Sequence, residues 1–260
     1  MVRGLYTAWT GMRNEQKRLD VIANNVANAA TTGFKTEYVT SQSFDDMLKL
    51  KVRDRSEDYN RDEIIGKVTL GVKIGEEYTV HEQGALRGTG NTYDLAIEGN
   101  GFFRMRVVDK AGNEHFRYTR AGNFTINNEG VVMDMDGNRL QGEGGDIIIP
   151  TDAADVAIDA HGAIYADGEF IDNLTLTDFE DYKYLKKFAD TMYEPVDGAT
   201  EVEQPNGVIR QGYLEQSNVN VVRQMTNLIV ITRAYEANQK VVQTMDSTLD
   251  QAVNSVGRVS

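Results

Sequence analysis

Residues 1–35 read MVRGLYTAWT GMRNEQKRLD VIANNVANAA TTGFK. Alternating steps of four and three from Met1 land on Leu5, Ala8, Met12, Glu15, Leu19, Ile22, Val26 and Ala29, all apolar except Glu15. This is a narrow seam repeating every 3.5 residues, not the broad apolar face of an ordinary surface helix. The spacing predicts a helix from about Arg3 to Ala29, and a seam so narrow needs a partner. Asn24, Asn25 and Asn28 fall on its polar side. Asparagine is a mediocre helix former, so three together point to hydrogen bonds with a neighbouring chain or to fraying before the stop. Thr31, Thr32 and Gly33 supply that stop, with Gly33 suited to a left-handed cap.

The partner is written at the other end of the chain. Counting by sevens from Val221 gives Leu228, Tyr235, Val242, Leu249 and Val256. The companion series runs Gln224, Ile231, Asn238, Met245, Ala252 and Val259. Only Gln224 and Asn238 are polar, and a polar residue in such a seam fixes register at some cost in stability. The SNVN run at 217–220 offers N-caps for this helix. Both ends of the chain are therefore long heptad helices.

Between them lies β-type sequence. From about 78 to 213 short alternating segments such as YDLAIE, GFFRMRVV, HFRYTR and NLTLTDF are punctuated by the turn pairs Asp136-Gly137, Asp167-Gly168 and Asp197-Gly198. Gly130–Gly137 and Gly162–Gly168 look like one hairpin used twice, and Asp181–Lys187 is the sole weak helix candidate inside. Residues 36–80 are transitional. They hold an expected short helix over Gln42–Val52, an exposed polar loop over Arg53–Glu63 and a strand over Lys67–Ile74. The expected organisation is α+β: residues 1–35 with 215–260 form a helical assembly domain, 36–80 a linker, and 81–214 an inserted β-rich domain.

Composition narrows the function. There is no cysteine, so no disulfide framework and no thiolate chemistry. No apolar run is long enough to span a membrane, and no apolar segment marks an ordinary secretory signal, which alone would suggest the cytoplasm. The net charge of −13 sits in the middle. Residues 1–35 carry five bases against two acids, and 215–260 balance four against four. An acidic body disfavours nucleic acid. Apolar residues make up 40% of the chain, low for a compact globule, which points to an elongated molecule or one that completes its core with partners.

No catalytic constellation stands out. His81, His115 and His161 are scattered among strands and turns. Asp134-Met-Asp136-Gly137-Asn138 lacks the sixth-position glycine and the twelfth-position acid of a calcium loop. Gly88-Thr-Gly90 and Gly99-Asn-Gly101 do not continue as a dinucleotide fingerprint. Asp178, Glu180 and Asp181 have no companion motif. No cofactor and no metal are expected.

Four ordered blocks resemble the bacterial flagellar axial proteins, the rod, hook and hook-associated subunits. Leu19–Asn28 with Thr32-Gly33-Phe34-Lys35 resembles their N-terminal signature. Asn91–Ile97 with Gly99–Phe103 and Tyr118–Phe124 resembles their middle domain, and Gly212–Asn220 with Arg233–Asn238 their C-terminal signature. The length and short middle domain are similar to the rod group, to its distal subunit or the proximal relative. The resemblance implies a non-enzymatic subunit exported through the flagellar type III channel to the basal body. There it would polymerise helically with itself and with other rod and hook proteins, in reach of the surrounding ring proteins. Its terminal helices would form an inner tube, its β domain would face outward, and the assembly would act as a drive shaft. The interface expected on this basis is Leu5, Met12, Leu19, Ile22, Asn24, Asn25, Val26 and Asn28 with Leu228, Ile231, Tyr235, Asn238, Val242, Met245 and Leu249. From the residues alone a second class stays open: a soluble, envelope-associated β-domain binder merely dimerised by its end helices. An isolated N-terminal helix of this kind is marginal in water. The termini are therefore expected to be partly disordered in the monomer, and strong amide protection over residues 3–28 in soluble monomer would contradict that.

Overall fold

The computed structural model describes all residues except 1, 45–46, 52–62, 70, 111, 154, 203–204 and 257–260. The chain is α+β. Helix α1 spans Val2–Ala27 and α2 spans Val221–Gln251, continued by one π turn over Ala252–Val256. Between them the described residues form strands, turns, irregular segments and one short 3₁₀ helix. At about 1.5 Å per residue the two helices are roughly 39 and 46 Å long. The chain divides into two compact units. One comprises residues 1–26, 37–78 and 221–260, and the other residues 27–36 and 79–220.

In the helical unit, α1 and α2 are joined by strands β1 (Glu37–Ser43), β2 (Met47–Lys51), β3 (Glu63–Val68) and β4 (Val72–Thr79). Strand β1 pairs with β4 and β2 with β3, one pair nested inside the other. The short helix expected over Gln42–Val52 is not formed by the described residues of that range. Gln42 and Ser43 close β1, and residues 47–51 form β2. The MLKLK run alternates with period two, and that pattern outweighs the helix-forming preference of its leucines and lysines. The polar loop expected over Arg53–Glu63 lies outside the described residues up to 62, as does Val259 of the second heptad series.

The β unit is built on a large antiparallel sheet whose central strand is β7 (Phe102–Val108), paired with β8 (Glu114–Thr119) over six residue pairs. Phe102 and Phe103 are adjacent and both fully buried, yet they serve different cores. Phe102 joins Tyr118, Phe179, Leu185 and Tyr193 on one face. Phe103 joins Met105, Phe124, Leu140, Ile147, Ile149 and Ile164 on the other. A strand covered on both faces cannot show the clean polar alternation of a half-exposed one. Two further pairs flank this sheet: β5 (Leu86–Gly88) with Tyr213–Glu215, and β6 (Leu95–Glu98) with Val208–Gln211.

The repeated hairpin is a repeated loop. Asp109–Gly112, Asn127–Gly130, Asp134–Gly137 and Asp159–Gly162 share one geometry. The first residue's N–H donates to the carbonyl four residues on, and the glycine N–H donates back to the first residue's carbonyl. The four glycines have φ between 83° and 96°, a region closed to most side chains. Asp134 also accepts from the N–H groups of Asp136 and Asn138 and from the Asn138 amide, so its carboxylate is fully engaged in the turn. Asp167-Gly168 is a two-residue hairpin turn with both φ values positive. In place of the helix weighed over Asp181–Lys187 there is a 3₁₀ turn at Tyr182–Tyr184 and a strand at Leu185–Lys187.

Candidate assembly surface

Helix α1 carries two stripes. The apolar stripe follows the heptad seam: Leu5, Met12, Leu19 and Val26 are half-buried, and Ala8 and Ile22 are buried. It approaches α2, where a Cβ on Gly4 would strike the Met245 methyl and one on Gly11 would lie 3.0 Å from the Asn238 amide nitrogen. Seven residues forward in α1 correspond to seven residues back in α2, so the helices run antiparallel along this contact. Along α2 the seam positions Leu228, Tyr235, Asn238, Val242, Met245 and Leu249 are half-buried, and Gln224 and Ile231 are buried. Arg18, Val21 and Ile22 also share a groove with Tyr38, Val39 and Asn227.

The second stripe is polar and lies against β1 and β4. Thr10, Asn14 and Asn25 are all buried. Asn14 accepts from the Ser41 hydroxyl at 3.1 Å, and Lys17 pairs with Glu77 at 2.7 Å. Asn25 is fully buried. Its amide donates to the Glu37 carbonyl at 2.8 Å and accepts from the Glu37 N–H at 3.0 Å, as a neighbouring strand would. Asn25 thus spends its hydrogen bonds inside its own chain. Asn24 and Asn28 are half-buried, and Asn28 accepts from the Thr31 hydroxyl. Glu15, the odd member of the first seam, pairs with Arg18.

Apolar surface remains open on both helices outside these stripes. On α1 it comprises Tyr6 and Trp9, about half exposed or more, with the Arg13 guanidinium over the indole. On α2 it comprises Val222, Met225, Ile229 and Val230 and, further along, Val241.

The β unit contains a buried charge cluster that pattern reading does not reveal. Lys35, Arg120 and Glu215 have side-chain exposures of 1%, 3% and 0%. One Glu215 oxygen accepts from Lys35 Nζ at 2.5 Å and from the Gly84 N–H at 2.8 Å, and the other accepts from Arg120 at 3.3 Å. Lys35 also donates to the Glu82 carbonyl, and Arg120 to that of Gly99. Burial lowers the Lys35 pKa, while Glu215 opposes the shift. Around this cluster the Gly33 N–H donates to the Glu215 carbonyl. Asn218 accepts from the Thr36 N–H and hydroxyl and donates to the carbonyls of Val80 and Glu82. Beside it His81 sits among Phe102, Tyr182 and Tyr193, its pKa lowered to about 4 by burial and then by the Lys35 and Arg120 charges.

Of the three histidines only His81 enters such a cluster, and the described residues hold no group of three or more His, Cys, Asp or Glu able to bind a metal. No helix among them is long and apolar enough to cross a membrane.

The chain aligns with the flagellar basal-body rod protein FlgG of Bacillus subtilis (strain 168) at 35% identity, covering 98% of this chain and 99% of that one. The chain belongs to the flagellar basal-body rod protein family. FlgG of Agrobacterium fabrum is 36% identical over 94% of this chain and 96% of its own. The rod protein FlgF of Caulobacter vibrioides is 31% identical over the full length of both. Three family models match in order: Flagella basal body rod protein over residues 5–35, Flagellar hook protein FlgE/F/G D1 domain over 96–166, and Flagellar basal body rod FlgEFG protein C-terminal over 210–255. Lys35, Arg120 and Glu215 fall one in each matched segment, so the three rod-family segments meet at a single buried carboxylate. In the sequence these residues were part of the quoted blocks, but no spacing rule joins positions 35, 120 and 215.

Proposed function

We propose that this protein is a structural subunit of the flagellar basal-body rod that polymerises helically through its terminal helices, with the two helices packed in coiled-coil fashion. The observation that carries the reading is the division of apolar surface. The β unit closes two cores of its own, whereas α1 and α2 leave Tyr6, Trp9, Val222, Met225 and Ile229 open to solvent. Patches of different composition on one subunit favour head-to-tail contact, and head-to-tail contact that does not close gives a helix, not a dimer. Many parallel copies of such helices would make a stiff shaft able to transmit torque. The interface on this reading comprises the heptad seams with the open apolar residues beside them. The partners are further copies of the chain and other axial subunits of the rod and hook, and the site of action is the basal body.

The names carried by the relatives, rod proteins throughout, support this reading over the dimeric binding protein. Purified full-length protein examined by sedimentation and negative-stain microscopy over a range of concentrations tests it. Tubes or filaments that lengthen with concentration are the expected result. A closed dimer of fixed size at all concentrations overturns it.

A further inference from the structure

We propose that Glu215 is a latch: a positioning residue that holds the segment after α1 and the segment before α2 onto the β unit, and that opens locally when its charge is removed. Residues 27–36 belong to the β unit. None of them belongs to either apolar cluster of the β unit. Phe34 is buried, but the group over its ring is the Lys187 ammonium. The segment's other attachments are polar: Thr32 to Asn123, Gly33 to the Glu215 carbonyl, Lys35 to the Glu215 carboxylate, and Thr36 to Asn218. On the other side, residues 215–218 are held by the same set, by the strand pairing of Glu215 with Leu86 of β5, and by Gln216 donating to Ala85.

The charge balance gives Glu215 its leverage. Two buried cations share one buried carboxylate, and His81 beside them stays neutral. The cluster thus carries one net positive charge with Glu215 present and two without it. A buried pair can be nearly neutral to stability when intact, but removal of one partner strands the other without water or counter-charge. Here one substitution strands two. The β unit can escape that cost without unfolding: Arg120 stays beside the Phe102 core, but Lys35 and Glu215 sit on segments outside both apolar cores. Letting 31–36 and 215–220 swing out rehydrates Lys35 and uncovers Arg120. The result is a local opening, not global unfolding. Closed, the latch fixes where the chain enters the β unit after α1 and where it leaves it for α2, since Gly33 and Glu215 are bonded main chain to main chain.

The test is segment-resolved amide exchange on the full-length protein with Glu215→Gln, which keeps the shape and removes the charge. Exchange in residues 31–36 and 216–220 is expected to rise roughly 100-fold or more, with Phe102–Val108 unchanged. Lys35→Met combined with Glu215→Gln returns the cluster to one net charge and is expected to recover most of the protection. Glu98→Gln, which breaks an exposed pair with Arg210, is expected to change nothing. If Glu215→Gln accelerates all of the β unit alike, or none of it, or if the double variant opens more than the single one, the latch is refuted. A second arm rests on the rod reading: Glu215→Gln should slow polymer growth while the helices stay folded. Failure of the wild-type protein to polymerise would refute that reading without touching the exchange result.

Discussion

Acid should loosen the β unit through His81. Its ring centroid lies 5.7 Å from that of Phe102, 5.0 Å from Tyr182 and 4.9 Å from Tyr193. Burial, then the charges of Lys35 and Arg120, bring its pKa from 6.5 to about 4. Between those two values the unfolded chain binds a proton that the folded chain refuses. Stability therefore rises with pH across the window, is fully present above about 6.5, and is lost as pH falls toward 4. Worked through for one such group, the loss is about 1 kcal/mol at pH 6, about 2 kcal/mol at pH 5 and about 3 kcal/mol at pH 4. His81→Phe keeps an aromatic ring among aromatic rings and removes the titration. Urea unfolding at pH 7, 6 and 5, followed by near-ultraviolet circular dichroism of the β-unit aromatics, measures both proteins. A chain with 40 Asp and Glu weakens in acid for other reasons, but those act on both proteins alike. The variant should gain about 2 kcal/mol on the wild type between pH 7 and pH 5. A difference that stays constant over that range would show that the ring does not titrate as its surroundings dictate.

Three further outcomes are expected. Leu228→Asp or Leu249→Asp places a charge in the half-buried α2 seam and should abolish polymer formation while near-ultraviolet dichroism of the β unit is unchanged; normal polymers from either variant would contradict the heptad argument. Asn25→Asp turns the donor facing the Glu37 carbonyl into an acceptor and should cost about 2–3 kcal/mol in helix stability, read by far-ultraviolet dichroism under urea, whereas an unchanged midpoint would remove Asn25 from the buried contact. Trp9 is the single tryptophan of the chain and half exposed, so its fluorescence should shift to the blue as polymers form, and emission that stays fixed through assembly would take the Tyr6–Trp9 face out of the interface.

The helices were legible because a seven-residue repeat is local and redundant: one missing apolar residue, such as Glu15 or Asn238, does not erase it. The β character of the middle was legible from turn residues at short intervals, and the four Asx-x-x-Gly loops explain why. The sequence around β2 misled because helix-forming residues were arranged with a strand's period, and the period decided the structure. The charge cluster was invisible for a different reason. Lys35, Arg120 and Glu215 are chemically ordinary in their own segments, and only the tertiary path makes them neighbours. The same holds for His81, whose low pKa arises from burial among rings, and from cations, contributed by sequence-distant segments.

The polar stripe of α1 carries a separate lesson about register. An apolar seam with a strict heptad spacing fits almost as well after a slip of seven residues, because each apolar side chain finds another apolar hole. Hydrogen bonds do not slip so easily. Asn25 matches both backbone groups of one residue, Glu37, and Asn14 matches one hydroxyl, Ser41. Moving α1 by one heptad would take both buried asparagines from these partners, at a cost no apolar contact recovers. The apolar stripe therefore supplies attraction toward α2, and the polar stripe fixes the axial position of α1 on β1 and β4. A second apolar stripe could not have done this. It would have made α1 apolar over most of its circumference, prone to bind wrongly before it docks, and still free to slide. In the polymer proposed above, where these helices line up with those of neighbouring subunits, axial register matters more than adhesion, and buried asparagine is the side chain that supplies it.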